Sequence, residues 1–173
     1  MHIHQGHLPG CIGRITALHA GYYAQAAGFG LAFEAKVASE LAAFCLRLDP
    51  RTDGLWLAVH DGEVHGAVVI DGSAGTAAGA HLRWFILSDT LRGQGVGTQL
   101  LGRALGFCRA AGHARVHLWT FDGLHAARHL YEKHGFRLVQ QQRGTQWGRA
   151  VDEQRFDCTL GADTPAAIRP DPA

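Results

Sequence analysis

The sequence predicts an α/β domain built around a mixed sheet. The chain has 173 residues, of which 47% are apolar and 18% charged, so it has the size and the apolar content of one compact domain. Its apolar residues alternate between helical spacing and short strand-like runs. The predicted order is two helices, three strands, a helix, a strand, a helix and two strands, which is typical of a mixed α/β domain.

The first two elements are predicted to be helices within residues 11–48. Their apolar residues recur at helical spacing: Ile12, Ile15 and Leu18 in the first helix, and Phe33, Val37, Leu41 and Phe44 in the second. Residues 28–30, Gly-Phe-Gly, separate the two helices. His19 lies on the apolar face of the first helix.

The sheet and its helices follow. A hairpin is predicted over 55–59 and 64–70 around the turn pair Asp61-Gly62, and a third strand over 81–87. A helix then ends at Gly112, a strand covers 116–121, a helix covers 124–134, and the last strands cover 136–139 and 154–156. We expect one domain over 12–160, a flexible N-terminal end over 1–11 and a disordered tail over 161–173.

Composition excludes several classes of protein. The net charge is +1, without the basic excess of a protein that binds nucleic acids or membrane surfaces. No apolar run is long enough to span a bilayer, and the N-terminus does not resemble a signal peptide, so we expect a cytoplasmic protein. The four cysteines form no C-x-x-C pair, and Cys108 is expected to be a buried free thiol. The twelve histidines show no metal-binding spacing, so no metal site is expected.

The most informative segment is Arg92-Gly93-Gln94-Gly95-Val96-Gly97-Thr98, between a strand and a helix. Its three glycines let the backbone approach a ligand closely, and the N–H groups at a helix N-terminus favour an anion such as phosphate. Arg92 adds a guanidinium suited to phosphate oxygens. A glycine-rich turn without a ligand is the alternative. A P-loop would need a lysine after the glycines, which this segment lacks. A dinucleotide-binding turn would need a different spacing of the glycines.

Two motifs, in this order along the chain, resemble those of the GNAT (GCN5-related N-acetyltransferase) superfamily. They are the strand and turn HLRWFILSD-x-LRGQGVGTQLL, and the segment HAARHLYEKHGF after the strand VHLWTF. The flanking segments GRITALHAGYYAQAAGFGLAFEAKV and GTQWGRAVDEQRF resemble GNAT domains often fused to MarR-type regulators. This resemblance implies a mostly antiparallel twisted sheet flanked by helices, with a splay between its two central strands.

The resemblance also implies where acetyl-CoA binds. Its pyrophosphate would lie on the backbone N–H groups of Gln94, Gly95, Val96, Gly97 and Thr98, beside Gly93 and Arg92. The backbone of Phe85, Ile86 and Leu87 would bind the pantetheine arm, although their side chains equally suit a core. His125 stands where many members of the superfamily have an asparagine that contacts CoA.

For catalysis, Tyr131 matches the tyrosine that protonates the leaving CoA thiolate, with a purely packing role as the alternative. An amine must lose a proton before it attacks, and Glu34 is the candidate general base, with a water chain as the alternative. His19, Tyr23 and Arg83 are candidate acceptor-site residues, and Arg83 could meet a carboxylate of the acceptor. The alternatives are a solvated helix charge for Glu34, a hydrogen-bonded core residue for His19, packing for Tyr23 and an outward surface position for Arg83.

The implied activity is acetyl transfer from acetyl-CoA to a primary amine of a small-molecule or amino-acid-like acceptor, by direct attack in a ternary complex. A catalytically silent acyl-CoA-binding domain and a nucleotide-binding protein are the alternatives. Many members of the superfamily dimerise, so a homodimer is also an expectation, with no nucleic-acid or membrane partner.

Overall fold

The described chain contains the predicted elements and one additional strand. The structure is a computed structural model that describes residues 1–161, so the predicted tail lies outside the described residues from position 162 onward. The helices are α1 (Cys11–Ala27), α2 (Leu31–Arg47), α3 (Val96–Ala110) and α4 (His125–Lys133). The strands are β1 (His2–Gln5), β2 (Gly54–His60), β3 (Glu63–Asp71), β4 (Ala80–Leu87), β5 (Arg115–Phe121), β6 (Arg137–Gly144) and β7 (Val151–Thr159).

Strand β1 corrects the prediction of a flexible N-terminal end. His2–Gln5 pairs antiparallel with β2, and the N–H of Gly6 then donates to the carbonyl of Leu55 at 2.8 Å. Ile3 packs against the main core. This short strand contains one apolar residue, so its conformation comes from pairing with β2 and not from a pattern visible in its own sequence.

The two N-terminal helices follow the predicted pattern. α1 ends because Gly28 adopts a left-handed conformation, with φ of 65°, and its N–H donates to the carbonyl of Ala24 at 3.0 Å. In α2 the buried residues are the four apolar residues of its predicted face. Both helices pack on β2, β3 and the bulged part of β4.

The sheet has the order β1-β2-β3-β4-β5-β7-β6. All neighbours are antiparallel except β4 and β5, which are parallel and share only the register pairs Ala80–Val116 and His81–His117. Beyond His81 the two strands separate. The structure therefore has the predicted GNAT-type architecture, including the splay between the central strands.

Helices α3 and α4 cover the opposite face of the sheet from α1 and α2. Their apolar residues form the main core with β2–β5 and β7, in which Phe136 and Phe156 are fully buried. Cys108 lies in this core as a free thiol, as predicted, and burial raises its pKa to about 12. Within residues 1–161, no helix is both long and apolar enough to cross a bilayer.

The last pair before the splay is a stacked histidine pair. The rings of His81 and His117 lie 4.5 Å apart between centroids, with planes inclined by 18°. Burial, followed by the proximity of His117 and Arg83, lowers the pKa of His81 to about 3. Burial and the nearby Arg155 also lower the pKa of His117.

The neutral His81 should make stability depend on pH. The pKa of His81 is lower in the folded chain than in the unfolded chain. Its contribution to the free energy of unfolding is therefore complete above pH 6.5 and is lost as the pH falls. Between pH 6.5 and pH 5 the free energy of unfolding should fall by up to about 2 kcal/mol from this residue. Denaturant titrations at both pH values should show a smaller fall for His81→Gln. The control variant His7→Gln, in an exposed loop, should keep the wild-type fall; an equal fall in His81→Gln would contradict the assignment.

Candidate active site

The site begins where β4 loses its partner. Because β4 pairs with β5 only through Ala80 and His81, the backbone groups of its later residues that face β5 have no ladder partner. The register of β4 with β3 also shifts near Trp84, whose φ of 45° is unusual for a residue other than glycine. The bulge breaks the strand alternation, so Arg83, Trp84 and Phe85 all line the same cavity.

The larger of two cavities lies between the glycine turn, β4 and α4. Its volume is about 440 Å³, within the usual range for ligand sites. The walls come from β4, from the turn before α3 and from one face of α4. Among the predicted cofactor residues, those that line it are Phe85, Ile86, Leu87, Arg92, Gly93, Gly95, Gly97 and Thr98.

The charges of the larger cavity suit an anionic ligand. Arg92 and Lys133 line it, and none of the described residues in its wall is acidic. α3 begins at Val96, and its N-cap residue Gly95 makes no side-chain cap, so the first N–H groups of the helix are available. The dipole of α3 and the two cations would therefore both attract a phosphate group.

Arg92 also connects the glycine turn to α1. Its guanidinium lies 4.3 Å over the ring of Tyr22, and it donates to the carbonyl of Leu87 at 3.0 Å and to the carboxylate of Asp89. These contacts hold the guanidinium at the rim of the larger cavity. An anionic ligand there would compete with Asp89 for it.

Three of the predicted cofactor residues do not line the larger cavity with their side chains. Val96 is buried in the core, and the amide of Gln94 donates to the carbonyl of Thr90 at 2.7 Å, so for both only the backbone role fits. His125 is exposed at the start of α4 and lies outside the wall of the larger cavity, so the structure does not bring its side chain there. His129, one turn later, lines the cavity instead because it shares a side of α4 with Ala126, Leu130 and Lys133.

The smaller cavity lies on the other side of the splay, between α1, α2, β4 and β5. Its volume is about 160 Å³. The three predicted acceptor-site residues, His19, Tyr23 and Arg83, all line it. One part of its wall is aromatic, formed by Tyr23, Phe29, Phe33, Phe121 and Trp147, whose rings contact one another.

The two cavities meet at three residues, Tyr23, Phe85 and Tyr131, each of which lines both. Tyr131 is buried against Phe85, with ring centroids 6.0 Å apart. Burial, with Tyr23 and Tyr22 nearby, raises the pKa of Tyr131 well above its ordinary value. Its phenol is therefore protonated at physiological pH and can act as a proton donor at the junction.

His19 lies one helical turn before Tyr23 on α1 and lines the smaller cavity. Its Nδ1 lies 2.9 Å from the carbonyl of Ile15, so Nδ1 carries the proton and Nε2 keeps its lone pair. Burial lowers the pKa of His19 to about 4, although the bond to Ile15 opposes this effect. A neutral imidazole stacked 6.0 Å from Tyr23 can accept a hydrogen bond from a ligand amine.

The rest of the smaller cavity is charged. Arg83 pairs with Glu40, and Lys36 donates to the same carboxylate at 2.6 Å. Burial acts to raise the pKa of Glu40, but Lys36 and Arg83 outweigh it, so the pKa is lowered overall. Glu40 is thus a carboxylate held ionised by two cations.

The structure does not bring Glu34, the predicted general base, to either cavity. It is exposed in the first turn of α2, whereas Glu40 lines the smaller cavity. The step of six positions from Glu34 to Glu40 rotates the side chain by about 240° around the helix, so Glu40, and not Glu34, shares the face of Phe33 and Val37. That face carries Lys36 and Glu40 into the wall.

Several wall residues of the smaller cavity were not predicted from the sequence: Lys36, Glu40, His81, Thr120, Gln146 and Trp147. Helical phase relative to Phe33 could have indicated Lys36 and Glu40, because all three share a face. Gln146 and Trp147 come from the loop between β6 and β7, and no local pattern connects that loop to α1. Among residues 1–161, no three His, Cys, Asp or Glu side chains gather as a metal-binding group.

Comparison with known families identifies one match. The model described as "Acetyltransferase (GNAT) family" matches residues 18–136, which include β4, the glycine turn and Tyr131. No curated protein matches the chain at a significant level.

Solved structures of low sequence identity share the fold. A candidate phosphinothricin N-acetyltransferase is 19% identical with a TM-score of 0.72, covering 92% of this chain and 99% of its own. A ribosomal-protein-alanine N-acetyltransferase from Brucella melitensis is 15% identical with a TM-score of 0.71, covering 92% and 100%. A candidate acetyltransferase from Salmonella typhimurium, solved with its cofactor acetyl-CoA, is 17% identical with a TM-score of 0.68 and covers all of both chains.

The left-handed conformation of Gly95, with φ of 76°, gives a test of the turn. Gly95→Ala should lower the free energy of unfolding by roughly 1–2 kcal/mol, because a side chain is disfavoured there even without a clash. Gly102→Ala, at an uncrowded position inside α3, should instead raise it by about 0.5–1 kcal/mol. Denaturant titrations compare the two variants, and a change of the same sign in both would contradict the assigned turn.

Proposed function

The chain belongs to the GNAT family of acetyltransferases, and we propose that it transfers an acetyl group from acetyl-CoA to a primary amine of a small-molecule or amino-acid-like acceptor. The observation that carries the proposal is the junction of two cavities at Tyr23, Phe85 and Tyr131. One cavity has the charges and backbone donors for a phosphate-bearing cofactor. The other, with a volume of about 160 Å³, offers space for a small amine beside it.

The larger cavity fits acetyl-CoA, which supplies the acetyl group as an activated thioester. The uncapped N–H groups at the start of α3, together with Arg92 and Lys133, would bind its phosphates. The unpaired backbone of β4 beyond His81 would bind the amide groups of the pantetheine arm. The arm would then lead to the junction through the gap between the strands.

The residues of the chain have two tasks at the junction. The neutral Nε2 of His19 accepts a hydrogen bond from the acceptor amine and orients its lone pair toward the thioester carbonyl. The amine nitrogen forms the new C–N bond, and the C–S bond breaks. Tyr131 donates its phenolic proton to the departing sulfur, and the proton released by the nitrogen passes through water and restores the phenol of Tyr131.

The low pKa of His19 makes it a hydrogen-bond acceptor and a weak base. Water, and not a carboxylate, acts as the general base in the role predicted for Glu34. Glu40 does not take this role because it is already paired with Lys36 and Arg83. Direct attack in a ternary complex requires no covalent enzyme intermediate. The free cysteines therefore take no part in the reaction.

A silent acyl-CoA-binding domain would need the larger cavity alone. The smaller cavity on the far side of Tyr131 supports an enzyme instead. We also propose that the protein works in the cytoplasm, and that it forms a homodimer, for which the exposed edge strand β6 offers an unpaired edge.

Cofactor binding can be measured by thermal unfolding with acetyl-CoA, CoA, ATP or NAD. A ligand at 100 times its Kd stabilises the folded chain by about 2.7 kcal/mol, which for this size raises the melting temperature by roughly 5–10 °C. We expect this rise with acetyl-CoA and CoA alone. A rise with ATP or NAD, or none with either CoA species, would contradict the cofactor assignment.

Replacing Tyr131 by Phe removes the proposed proton donor and keeps the ring that packs against Phe85 and Phe136. We expect kcat for amine acetylation to fall by about a hundredfold or more, while the Kd for CoA changes little. Steady-state kinetics and calorimetric titration measure the two quantities. A variant that keeps wild-type kcat would assign Tyr131 to packing only.

A further inference from the structure

We propose that the acceptor carries a carboxylate in addition to its amine, and that Arg83 and Lys36 bind this carboxylate alongside Glu40. The inference rests on the proposed function and names the class of acceptor that the smaller cavity takes. Arg83 was predicted as an acceptor-site residue from the sequence, whereas Lys36 and Glu40 come from the structure.

The wall of the smaller cavity carries an excess of positive charge. Arg83 and Lys36 are the cations of its described wall, and Glu40 is the acid of that wall, so the wall carries one excess positive charge. Both cations share the one carboxylate of Glu40. His19 and His81 also line the cavity, and their lowered pKa values keep them neutral, so they do not change this balance.

The next acid behind the wall is already occupied. Asp71 accepts a hydrogen bond from Arg47 at 2.5 Å and another from the N–H of Ser73, and it lies 3.8 Å from Arg83. Asp71 thus assists in holding Arg83 but does not provide a full second partner for it. A carboxylate brought by the acceptor would provide that partner.

The orientation of Arg83 also favours binding of a carboxylate. Its guanidinium lies 4.1 Å over the ring of Trp84, the residue at the bulge of β4. Stacking on a ring leaves the edge donors of the guanidinium free for hydrogen bonds in the plane, which is the geometry that binds a carboxylate in a bidentate manner. The guanidinium stacked on Trp84 lines the smaller cavity, where its donors reach Glu40 and Asp71.

A bound carboxylate would improve the ion pairing of Arg83 and Lys36. Removing an ion from water is costly unless a partner replaces the lost hydration. Without acceptor, Lys36 and Arg83 share the carboxylate of Glu40. The other anion near Arg83 is Asp71 at 3.8 Å, which is already paired with Arg47. With a carboxylate bound, two cations face two anions, and each can form its own pair. Binding therefore improves the pairing of the site and leaves no ion unpaired.

The aromatic part of the wall determines what lies between the two functional groups of the acceptor. Phe33, Phe121 and Trp147 line the smaller cavity with apolar rings and offer no charged group. An apolar body would contact these rings. The predicted acceptor is therefore an amino acid with an apolar carbon skeleton.

The test compares amines that differ only in the carboxylate. Three pairs serve: phenylalanine and phenethylamine, leucine and 3-methylbutylamine, and 6-aminohexanoate and pentylamine. Acetylation is measured as CoA release by the full chain with saturating acetyl-CoA. We expect at least one carboxylate-bearing amine to show a kcat/KM about tenfold or more above its partner.

Variants then assign the preference to the proposed residues. Arg83→Gln and, independently, Lys36→Gln should raise the KM of the preferred amino acid by about tenfold and leave its decarboxylated partner unchanged. Glu40→Gln should lower that KM several-fold, because the acceptor no longer shares the two cations with an internal carboxylate. Arg103→Gln, an exposed substitution on α3 outside both cavities, is the matched control.

The outcomes separate the inference from the proposed function. Equal kcat/KM within every pair, or a KM that is unaffected in both Arg83→Gln and Lys36→Gln, would overturn the inference and leave amine acetylation intact. No acetylation of any amine by a chain that binds CoA would overturn the proposed function and the inference with it. The melting temperature and Kd for CoA of each variant identify loss of folding, and Lys36→Gln, at a half-buried position, keeps the test valid if Arg83→Gln does not fold.

Discussion

The separation of β4 and β5 is the constraint on which the rest of the site depends. Two register pairs, ending at the stacked His81 and His117, hold the centre of the sheet together, and beyond them the strands part. The gap leaves backbone groups of β4 unpaired and joins a cavity on each face of the sheet. A continuous parallel ladder would close this gap and isolate the two cavities from each other.

The helices on the two faces give the cavities different chemistry. α3 and α4 supply a helix N-terminus and the cation Lys133, and no acid lines that side within residues 1–161. α1 and α2 supply aromatic rings, a neutral imidazole and the ion pairs of Glu40. Arg92 on Tyr22 connects the faces, because one residue of α1 contacts the glycine turn while the next, Tyr23, reaches the junction.

Features encoded in short segments could be predicted from the sequence. Helical spacing, short apolar runs and turn residues predicted every α-helix, and every strand except β1. His19, Tyr23 and Arg83, predicted as acceptor-site residues, all line one cavity. Features that depend on packing could not be predicted. The rotation of α2 brings Glu40 rather than Glu34 to the site, the rotation of α4 brings His129 rather than His125, and β1 forms only because β2 offers it an edge.

A crystal structure with CoA bound would test the central claim most directly, because the claim is that one ligand spans the glycine turn and the strand gap. The account predicts phosphates on the N–H groups at the start of α3 and the CoA sulfur within hydrogen-bond distance of the Tyr131 hydroxyl. The open mouth of the smaller cavity would then face the sulfur. CoA bound elsewhere, or with its sulfur directed away from Tyr131, would contradict the account.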